Sequence, residues 1–321
     1  MSRTLIGVDV CKDFLDAHAR PAGQQQRFAN DPRGIEQLVA WARSVAPDRV
    51  VFESTGPYQK AAVGALLAAG LPAVVVNARQ VRDFARGTGQ LAKTDRIDAA
   101  VLAHFGEVVA TVVRPLPPPE VREFRELCDR RGQLVRMLAA EKNHRHAARG
   151  ASAKVLKNID KHIAFLEGQI EELEGRMDGI VAASETFKAK DDILQSIVGI
   201  GPQVSRTLLV HLPELGTGSR QSIAALAGLA PFADDSGTCS RVRHIRGGRG
   251  KVRVALYQAA VAAVRYCPVM RAFYDGLKGR GKATKVALIA VARKLLVLAN
   301  ALLRDGARYR ARANSVCPKN A

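Results

Sequence analysis

Short apolar runs rich in β-branched residues alternate with helical patterns over the first third of the chain. The runs at 4–10 and 49–54 are almost continuously apolar, which is typical of buried strands. Three strands in succession, followed by helices that alternate with strands, predict an α/β domain with a mixed sheet over residues 1–112. The predicted strands are 4–10, 13–20, 24–30, 49–54 and 71–77.

Caps and prolines predict where the helices of this domain begin. Asp31 precedes a helical pattern and is expected to cap it. Pro57 suits the first turn of the helix that follows, KAAVGALLAAG at 60–70, which ends at Gly70. A short helix is predicted around residues 79–84. The last helix of the domain is predicted to open within LAKTDRIDAA, at residues 91–100.

Prolines separate this domain from a long helical region. The segment PLPPPE at 115–120 has a proline density that neither a helix nor a central strand tolerates. Residues 118–190 are predicted to form a coiled-coil linker, because apolar residues of its second helix recur at alternating steps of four and three. An antiparallel hairpin within one chain and a dimerising coiled coil both explain this seam, which comprises Ile159, Ile163, Leu166, Ile170, Leu173, Met177 and Ile180.

The remaining residues, 191–321, are predicted to be mostly helical with glycine-rich interruptions. In SIVGIGPQVSRTLLVHL, Gly199 and Gly201 separate two apolar helical stretches. This arrangement is typical of a helix-hairpin-helix motif, whose turn presents backbone N–H groups to a phosphate. An ordinary turn between two helices is the alternative.

The charge of the chain predicts a polyanionic partner. The formal net charge is +19 and the isoelectric point is about 10.2, which favours nucleic acid first and an anionic membrane surface second. Residues 191–321 hold 21 Lys and Arg against 7 Asp and Glu, a net charge of +14. The polyanion is therefore expected mainly on the C-terminal third.

The cysteines and the apolar segments predict a reduced, cytosolic setting. Together with the expected nucleic-acid partner, they give a cytoplasmic, nucleoid-associated location as the prediction. The five cysteines are scattered without a CxxC pair, which argues against a zinc ribbon or a disulfide framework. The opening MSRTLIGVDV lacks the apolar core of a signal peptide. No segment is expected to reach the roughly 20 apolar residues of a membrane span, so no membrane partner is predicted.

Four acids of the first domain are candidates for a metal site. Asp9 lies within an apolar strand, Glu53 ends another, and Asp95 and Asp98 are three residues apart and therefore share a helical face. A carboxylate in an apolar strand is costly unless it is paired or binds a cation. If the two strands are neighbours, the four acids converge and predict two Mg²⁺ ions, with Mn²⁺ as the alternative, because both prefer oxygen ligands. Such a pair of ions catalyses phosphoryl transfer.

Each acid also has a simpler explanation when it is taken singly. Asp9 could be a buried, hydrogen-bonded acid, and Glu53 could cap the helix that follows it. Thr94 or Asp95 could be an N-cap, and acids in a first turn suit the positive end of the helix dipole.

A basic segment at 226–257, LAGLAPFADDSGTCSRVRHIRGGRGKVRVALY, predicts contacts with phosphate, since arginines on glycine-rich backbone suit them. A solvated basic face is the alternative. Ser236 precedes Gly237 in a predicted loop; such a pair is an ordinary turn, and a nucleophile there would need a metal or an arginine to activate it. The predicted nucleic-acid-binding residues are Gly199, Gly201, Arg241, Arg243, Arg246, Arg249, Lys251, Arg253, Lys282 and Lys285.

These segments together resemble the insertion-sequence-110 family of transposases. The acids lie in IGVDVCKDFLDA, FESTGPY and KTDRIDA, which look like the DEDD motif of that family. The C-terminal matches are VGIGPQ, ALAGLAPFADDSGT, IRGGRGKVRVALYQAA and KATKVALIAVARKLL, in the family's order. The arginine-loop variant HIRGGRG looks more like the insertion-sequence-1111 subgroup. Cys239 and Ser240 depart from the pattern and leave the register of the loop arginines open.

The resemblance implies a fold, a reaction and partners. It implies an RNase H-like (RuvC-like) domain, a coiled-coil linker and a helical transposase domain. The implied reaction recombines donor and target DNA under the guidance of a bridge RNA. Asp9, Glu53, Asp95 and Asp98 would bind Mg²⁺, and Ser236 would attack a DNA phosphate to form a phosphoserine. A homodimer or higher assembly is implied, because the family builds its active site from different subunits.

Three other functions explain parts of the same pattern. A Holliday-junction-type nuclease would use the four acids with water as the nucleophile, and would not need Ser236. An unguided site-specific DNA invertase of the same family would read DNA without an RNA. A helix-hairpin-helix binding protein with a degenerate α/β domain would tolerate replacement of all four acids.

Overall fold

The computed structural model describes residues 3–54, 56–92, 94–109, 111–113, 115–233 and 243–310. Contacts divide the chain into two compact units, Met1–Pro117 and Pro118–Ala321. This boundary falls within the proline-rich segment, where no regular structure could continue. A further division near residue 190 stays a prediction.

The first unit contains a five-stranded mixed sheet, which confirms the α/β prediction. Its strand order is β3-β2-β1-β4-β5. Strand β2 runs antiparallel to both neighbours, whereas β1, β4 and β5 are parallel to one another. The strands are β1 (Leu5–Val10), β2 (Phe14–Arg20), β3 (Gln24–Ala29), β4 (Arg49–Glu53) and β5 (Ala73–Val76).

Alternating side chains of this sheet build two separate cores. On one face, Ile6, Val8 and Val10 pack with the buried side chains of α1 (Pro32–Val45) and α2 (Lys60–Ala68). On the other face, residues of β4 and β5 pack with α3 (Ala78–Gly87) and α4 (Asp95–Val108). Residues 5, 7 and 9 of β1 therefore face α4, because side chains of a strand alternate between faces.

Caps define most helix starts in this unit. Asp31 caps α1 as predicted, since its Oδ1 accepts a hydrogen bond from Gly34 N at 2.7 Å. Helix α2 begins at Lys60, as the predicted segment KAAVGALLAAG does. Pro57 does not lie in its first turn as predicted, because residues 56–59 form a turn before the helix in which Lys60 N donates to Pro57 O at 3.1 Å.

Glycine allows α4 to lie very close to the central strand. A Cβ atom on Gly7 would lie 2.1 Å from Ala99 O and 2.4 Å from Ala103 N. A Cβ atom on Gly106 would lie 2.5 Å from a methyl group of Val51 on β4. The two glycines thus fix α4 against β1 and β4, with its N-terminal end toward the end of β1.

The second unit begins with a helical hairpin. Helices α5 (Pro119–Ala147) and α6 (Ala153–Ala183) pack antiparallel within one chain, and salt bridges such as Arg131–Glu174 at 2.6 Å join them. Leu166 and Met177 of the predicted seam are buried, the latter beside Phe124 and Leu127 of α5. The intramolecular alternative is therefore observed, whereas pairing of this hairpin with a second chain stays a prediction.

The rest of the second unit is mostly helical, as predicted. A small antiparallel pair, β6 (Pro231–Phe232) and β7 (His244–Ile245), interrupts the helices. The helices are α7 (Glu185–Gln195), α8 (Pro202–His211), α9 (Arg220–Leu226), α10 (Gly250–Tyr266), α11 (Pro268–Gly279) and α12 (Thr284–Asp305).

Helix α12 corrects the expectation that no segment could reach the length of a membrane span. Among the residues that the structure describes, it is the one helix that is long and apolar enough to cross a membrane. Val291, Leu295 and Leu296 of this helix are fully buried against α10 and other helices of the unit. Its apolar composition is explained by this position, because a helix at the centre of a core is apolar on most of its surface.

Candidate active site and nucleic-acid interface

The two acids predicted on strands lie at the ends of neighbouring parallel strands. Strands β1 and β4 pair with Val8 opposite Phe52, so Asp9 and Glu53 each follow the last paired residue. Asp9 is two residues beyond Gly7, and Glu53 is two beyond Val51. Since residues two apart share a face, both carboxylates lie on the side of the sheet that α4 covers.

The other two acids lie in the first turn of α4. Thr94 caps the helix through its hydroxyl, which accepts from Ile97 N at 3.3 Å. Thr94 rather than Asp95 is thus the N-cap. Asp98 directly precedes Ala99, whose carbonyl abuts Gly7, and the close approach of α4 thereby brings Asp98 to the end of β1.

Electrostatic coupling shows that the four acids share one neighbourhood. Burial raises the pKa of Asp9, and the charges of Asp98, Asp95 and Glu53 raise it further, while a hydrogen bond from the Val10 backbone opposes them. The pKa of Asp9 rises from 3.8 to about 6. A negative charge at Asp9 is therefore disfavoured until a cation compensates it.

The acids offer the oxygen donors that a magnesium ion prefers, but their side chains are not already grouped around one point. Within the described parts of the chain, no three His, Cys, Asp or Glu side chains are grouped as a metal ion would require. The charged side chains that raise the pKa of Asp9 are all carboxylates, and divalent ions would relieve their mutual repulsion. The residues thus fit Mg²⁺ or Mn²⁺ by donor type and charge.

Two residues beside the acids were not found by sequence reasoning. Asp16 lies directly opposite Asp9 on β2 and is 7% exposed. Arg27 on β3 donates to both oxygens of Asp16 at 2.9 and 2.8 Å, and its Nη2 lies 3.4 Å from Asp95 Oδ2. This pairing raises the pKa of Arg27 above its ordinary value. The sequence did contain a signal for Asp16. The short connection at 11–13 fixes the register of β1 and β2, and this register places Asp16 opposite Asp9.

The predicted helix-hairpin-helix turn lies between α7 and α8. Gly199 has a φ of +98°, and a Cβ atom there would lie 2.6 Å from Ala259 O of α10, so this glycine serves packing. Gly201 is exposed, has open space around it, and is the N-cap of α8. No side chain caps α8, which leaves first-turn N–H groups for an anion.

The described residues on either side of the predicted basic loop form the strand pair β6 and β7. Its base is compact: a Cβ atom on Gly248 would lie 2.2 Å from Gly228 N, so the glycines there permit close packing. Ser236, proposed as the nucleophile, and Arg241 lie outside the described residues.

The described basic residues of this region fall into two groups. Arg249 binds Glu214 through two hydrogen bonds of 2.5 and 2.7 Å, and Lys251 Nζ lies 2.5 Å from Asp129 Oδ1. Arg253 donates to Gly247 O at 2.7 Å. These three therefore hold their own chain together, whatever else they bind. The second group is defined by exposure, which Lys251 shares, and comprises Arg243, Arg246, Lys282 and Lys285.

Both units match models of known protein families. Residues 6–148 match a family model described as a transposase, of the DEDD, IS110 type. Residues 191–275 match a model described as the transposase IS116/IS110/IS902 family. Together the two matches cover more than half of the chain and include all four acids.

Some curated relatives match almost the whole of this chain, and others match about half of it. The pilin gene-inverting proteins of Moraxella bovis and Moraxella lacunata are each 27% identical over 317 residues, covering 95% of this chain and 97% of the relative. An uncharacterized 43.6 kDa protein of insertion element IS110 from Streptomyces coelicolor is 30% identical over 161 residues, covering 49% of this chain and 38% of the relative.

Proposed function

This chain belongs to the IS110 family of transposases, enzymes that cleave and rejoin DNA, and we propose that its first unit holds a magnesium-dependent site for that reaction. The observation that carries the proposal is the electrostatic effect of Glu53, Asp95 and Asp98 on Asp9: burial first, and then these three charges, raise the pKa of Asp9 to about 6. Asp9, Glu53, Asp95 and Asp98 would hold Mg²⁺ or Mn²⁺. Bound there, divalent ions supply charge stabilisation for phosphoryl transfer.

Ser236 is the proposed nucleophile. Its Oγ forms a bond to a DNA phosphorus and gives up its proton to solvent, while the bond from phosphorus to one sugar oxygen breaks. That oxygen takes up a proton and leaves as a sugar hydroxyl, and the DNA phosphate stays on the protein as a phosphoserine. Support comes from its place in ALAGLAPFADDSGT, within the segment that matches the family model at 191–275. Basic residues on either side of this segment would bind the phosphates of donor and target DNA.

Finer features of the family belong to the same proposal. The mixed sheet, with acids on β1, β4 and α4, supports an RNase H-like (RuvC-like) first unit. The uncapped N-terminus of α8 supports a helix-hairpin-helix contact with phosphate. The proposal also includes a bridge RNA as guide and membership of the IS1111 subgroup. It further includes a coiled-coil homodimer or higher assembly, and a nucleoid-associated cytoplasmic location.

Replacement of Asp98 tests the site. We expect Asp98→Ala to abolish strand cleavage in Mg²⁺ while the purified full chain still binds DNA, because the DNA contacts are proposed on the second unit. Asp83→Ala on α3 is the matched control, since this acid is exposed and pairs with Arg79 at 3.8 Å. Cleavage by Asp98→Ala at the wild-type rate would exclude the metal site.

Replacement of Ser236 separates recombination from hydrolysis. A denaturing gel of the wild-type protein after reaction with labelled DNA should carry a covalent protein–DNA adduct, and Ser236→Ala should not. A junction nuclease that uses water would cleave equally well in both and would form no adduct.

A site-specific invertase is the second candidate function. The relatives that match over almost the entire chain are named pilin gene-inverting proteins, whereas the insertion-element protein from S. coelicolor aligns over about half of it. Purification from cells that carry the native flanking DNA, followed by sequencing of bound RNA, distinguishes the two. One discrete RNA from a flank supports guided transposition, and its absence supports inversion without a guide.

A further inference from the structure

Asp16 and Arg27 lie beside the proposed metal site without a part in its chemistry. Asp16 is paired in register with Asp9 across β1 and β2, and Arg27 with Asp16 across β2 and β3. Directly opposed residues of antiparallel strands point to the same face. Asp9, Asp16 and Arg27 therefore form a row across the sheet, on the side where α4 carries Asp95.

Arg27 is held in this row by contacts that do not involve the four acids. Its Nε and Nη2 donate to the two oxygens of Asp16 at 2.9 and 2.8 Å, a bidentate geometry that fixes a guanidinium. Its Cζ also lies 5.2 Å from the centre of the Phe14 ring. Asp16 is buried and would be costly without a cation. The guanidinium is thus a fixed positive charge at the edge of the site.

The contact between Arg27 and Asp95 is of a different kind. It is 3.4 Å long, and the two side chains are 50% and 60% exposed. Such an exposed pair is weak and easily exchanged. Arg27 can therefore release Asp95 while it stays bound to Asp16.

We propose that Arg27 is a resident counter-cation of the acid site, which holds Asp95 while no divalent ion is bound and gives it up when one binds. The inference rests on the metal site of the proposed function. A guanidinium suits this role because it keeps its charge at every relevant pH. It partly compensates the carboxylates in the metal-free protein, and it repels an incoming divalent ion. Arg27 is a positioning residue for Asp95, and Asp16 positions Arg27.

The competing explanation is that the pair only attaches the edge strand β3 to the sheet. The chain offers a matched control for that role. Arg20 Nε on β2 lies 3.0 Å from Glu107 Oε2, which joins the same sheet to the opposite end of α4. These side chains are 39% and 42% exposed, so the bridge is comparable in exposure and remote from the four acids.

The experiment compares Arg27→Gln, Arg20→Gln and wild type as full chains, by thermal unfolding in EDTA or saturating Mn²⁺ and by calorimetric titration with Mn²⁺. We expect Arg27→Gln to lower the unfolding temperature more in EDTA than in Mn²⁺ and to bind Mn²⁺ about threefold to tenfold more tightly, because one nearby positive charge is gone. Arg20→Gln should lower the unfolding temperature equally in both and leave the affinity unchanged. Arg27→Lys keeps the charge and should bind Mn²⁺ almost as wild type does.

Two other outcomes overturn the inference in distinguishable ways. If wild type responds to Mn²⁺ but Arg27→Gln behaves as Arg20→Gln does, the counter-cation role is wrong and the metal site stands. If wild type does not respond to Mn²⁺, or if Asp98→Asn responds as strongly as wild type does, the metal site of the proposed function is wrong, and the inference falls with it.

Discussion

The carboxyl group of Asp9 is disfavoured as an anion by two independent causes, burial and the charges of three other acids. Neither cause has a counterpart in the unfolded chain, where water surrounds every carboxylate. Folding without a divalent ion therefore takes up a proton at Asp9 between its ordinary pKa of 3.8 and about 6. The free energy of unfolding should decrease as the pH rises through this interval.

Asp9→Asn should remove that pH dependence. In EDTA above pH 6 we expect the variant to be more stable than wild type by about 1 kcal/mol, a value reduced from the full shift because solvent reaches the group. Near pH 4 the two proteins should be equally stable. Denaturant unfolding at pH 4.5 and 7.5 measures both differences. An equal gain at both pH values would contradict the prediction, and Asp83→Asn controls for loss of an exposed acid.

Sequence alone placed the four acids on their elements, because each lay in a distinctive position: Asp9 and Glu53 on apolar strands, Asp95 and Asp98 at a helix start. That they form one metal site stays a prediction. Sequence alone did not reveal Asp16 or Arg27. Singly, an aspartate in an alternating strand and an arginine in QQQRFAN are ordinary surface residues. Their significance depends on the register of three strands, which only the folded sheet supplies.

At the scale of elements, the position of α4 depends on the absence of a side chain at Gly7. We expect Gly7→Ala to destabilise the protein by about 1–3 kcal/mol, because the new Cβ atom would meet backbone atoms of α4 that cannot move individually. It should also abolish cleavage, since a displaced α4 carries Asp95 and Asp98 away from β1. Chemical denaturation and a cleavage assay measure these effects.

Gly64→Ala is the matched control for this substitution. Gly64 lies within α2 with nothing within 4 Å of its added Cβ atom, so alanine there should raise stability by about 0.5–1 kcal/mol through helix propensity. Equal effects of the two substitutions would show that close packing of α4 is not what Gly7 provides.

The N-terminus of α8 supports a second prediction at this scale. Gly201→Asp would place a capping carboxylate where a phosphate is proposed to bind. We expect the variant to unfold at the same or a higher temperature but to bind DNA more weakly. Gly201→Asn provides a similar cap without the charge and should bind DNA better than Gly201→Asp. Unchanged DNA affinity in Gly201→Asp would rule out phosphate binding at this helix.

Prediction of the elements succeeded where the apolar pattern was clear, as in strands β1 and β4, and where pattern and cap agreed, as in helix α1. It placed the start of α2 at Lys60 but wrongly put Pro57 in the first turn, because proline in a first helical turn and proline in the turn before a helix have the same preference for φ. It also underestimated the length of the apolar stretch in α12. Arg293 and Lys294 interrupt that stretch in the sequence, but both are half-buried in the folded unit.

For the whole molecule, the net charge of +14 on residues 191–321 predicts strongly salt-dependent binding. Each phosphate contact on duplex DNA adds about 0.9 to the slope of log K against log salt. Lys282→Gln and Lys285→Gln should each reduce this slope by about 0.9 and leave the unfolding temperature unchanged, because both side chains are exposed. Titrations of labelled duplex at several salt concentrations provide the slopes.

Two further variants delimit this prediction. Lys161→Gln, on the nearly neutral helical hairpin, should leave the slope as it is. Arg249→Gln should mainly lower stability, because Arg249 binds Glu214 and the His211 carbonyl. A slope that is unchanged by both lysine substitutions would move the DNA contacts away from the start of α12.

The order in which the acids appear along the chain has a consequence for synthesis. Helix α4 is the last element of the first unit, and it supplies two of the four acids only after it has docked on Gly7. Once residues 1–90 of a nascent chain have left the ribosome, all five strands can pair. Of the four acids of the proposed metal site, this part of the chain contains only Asp9 and Glu53. The proposed metal site is thus incomplete in a nascent chain until α4 has emerged and docked on the sheet.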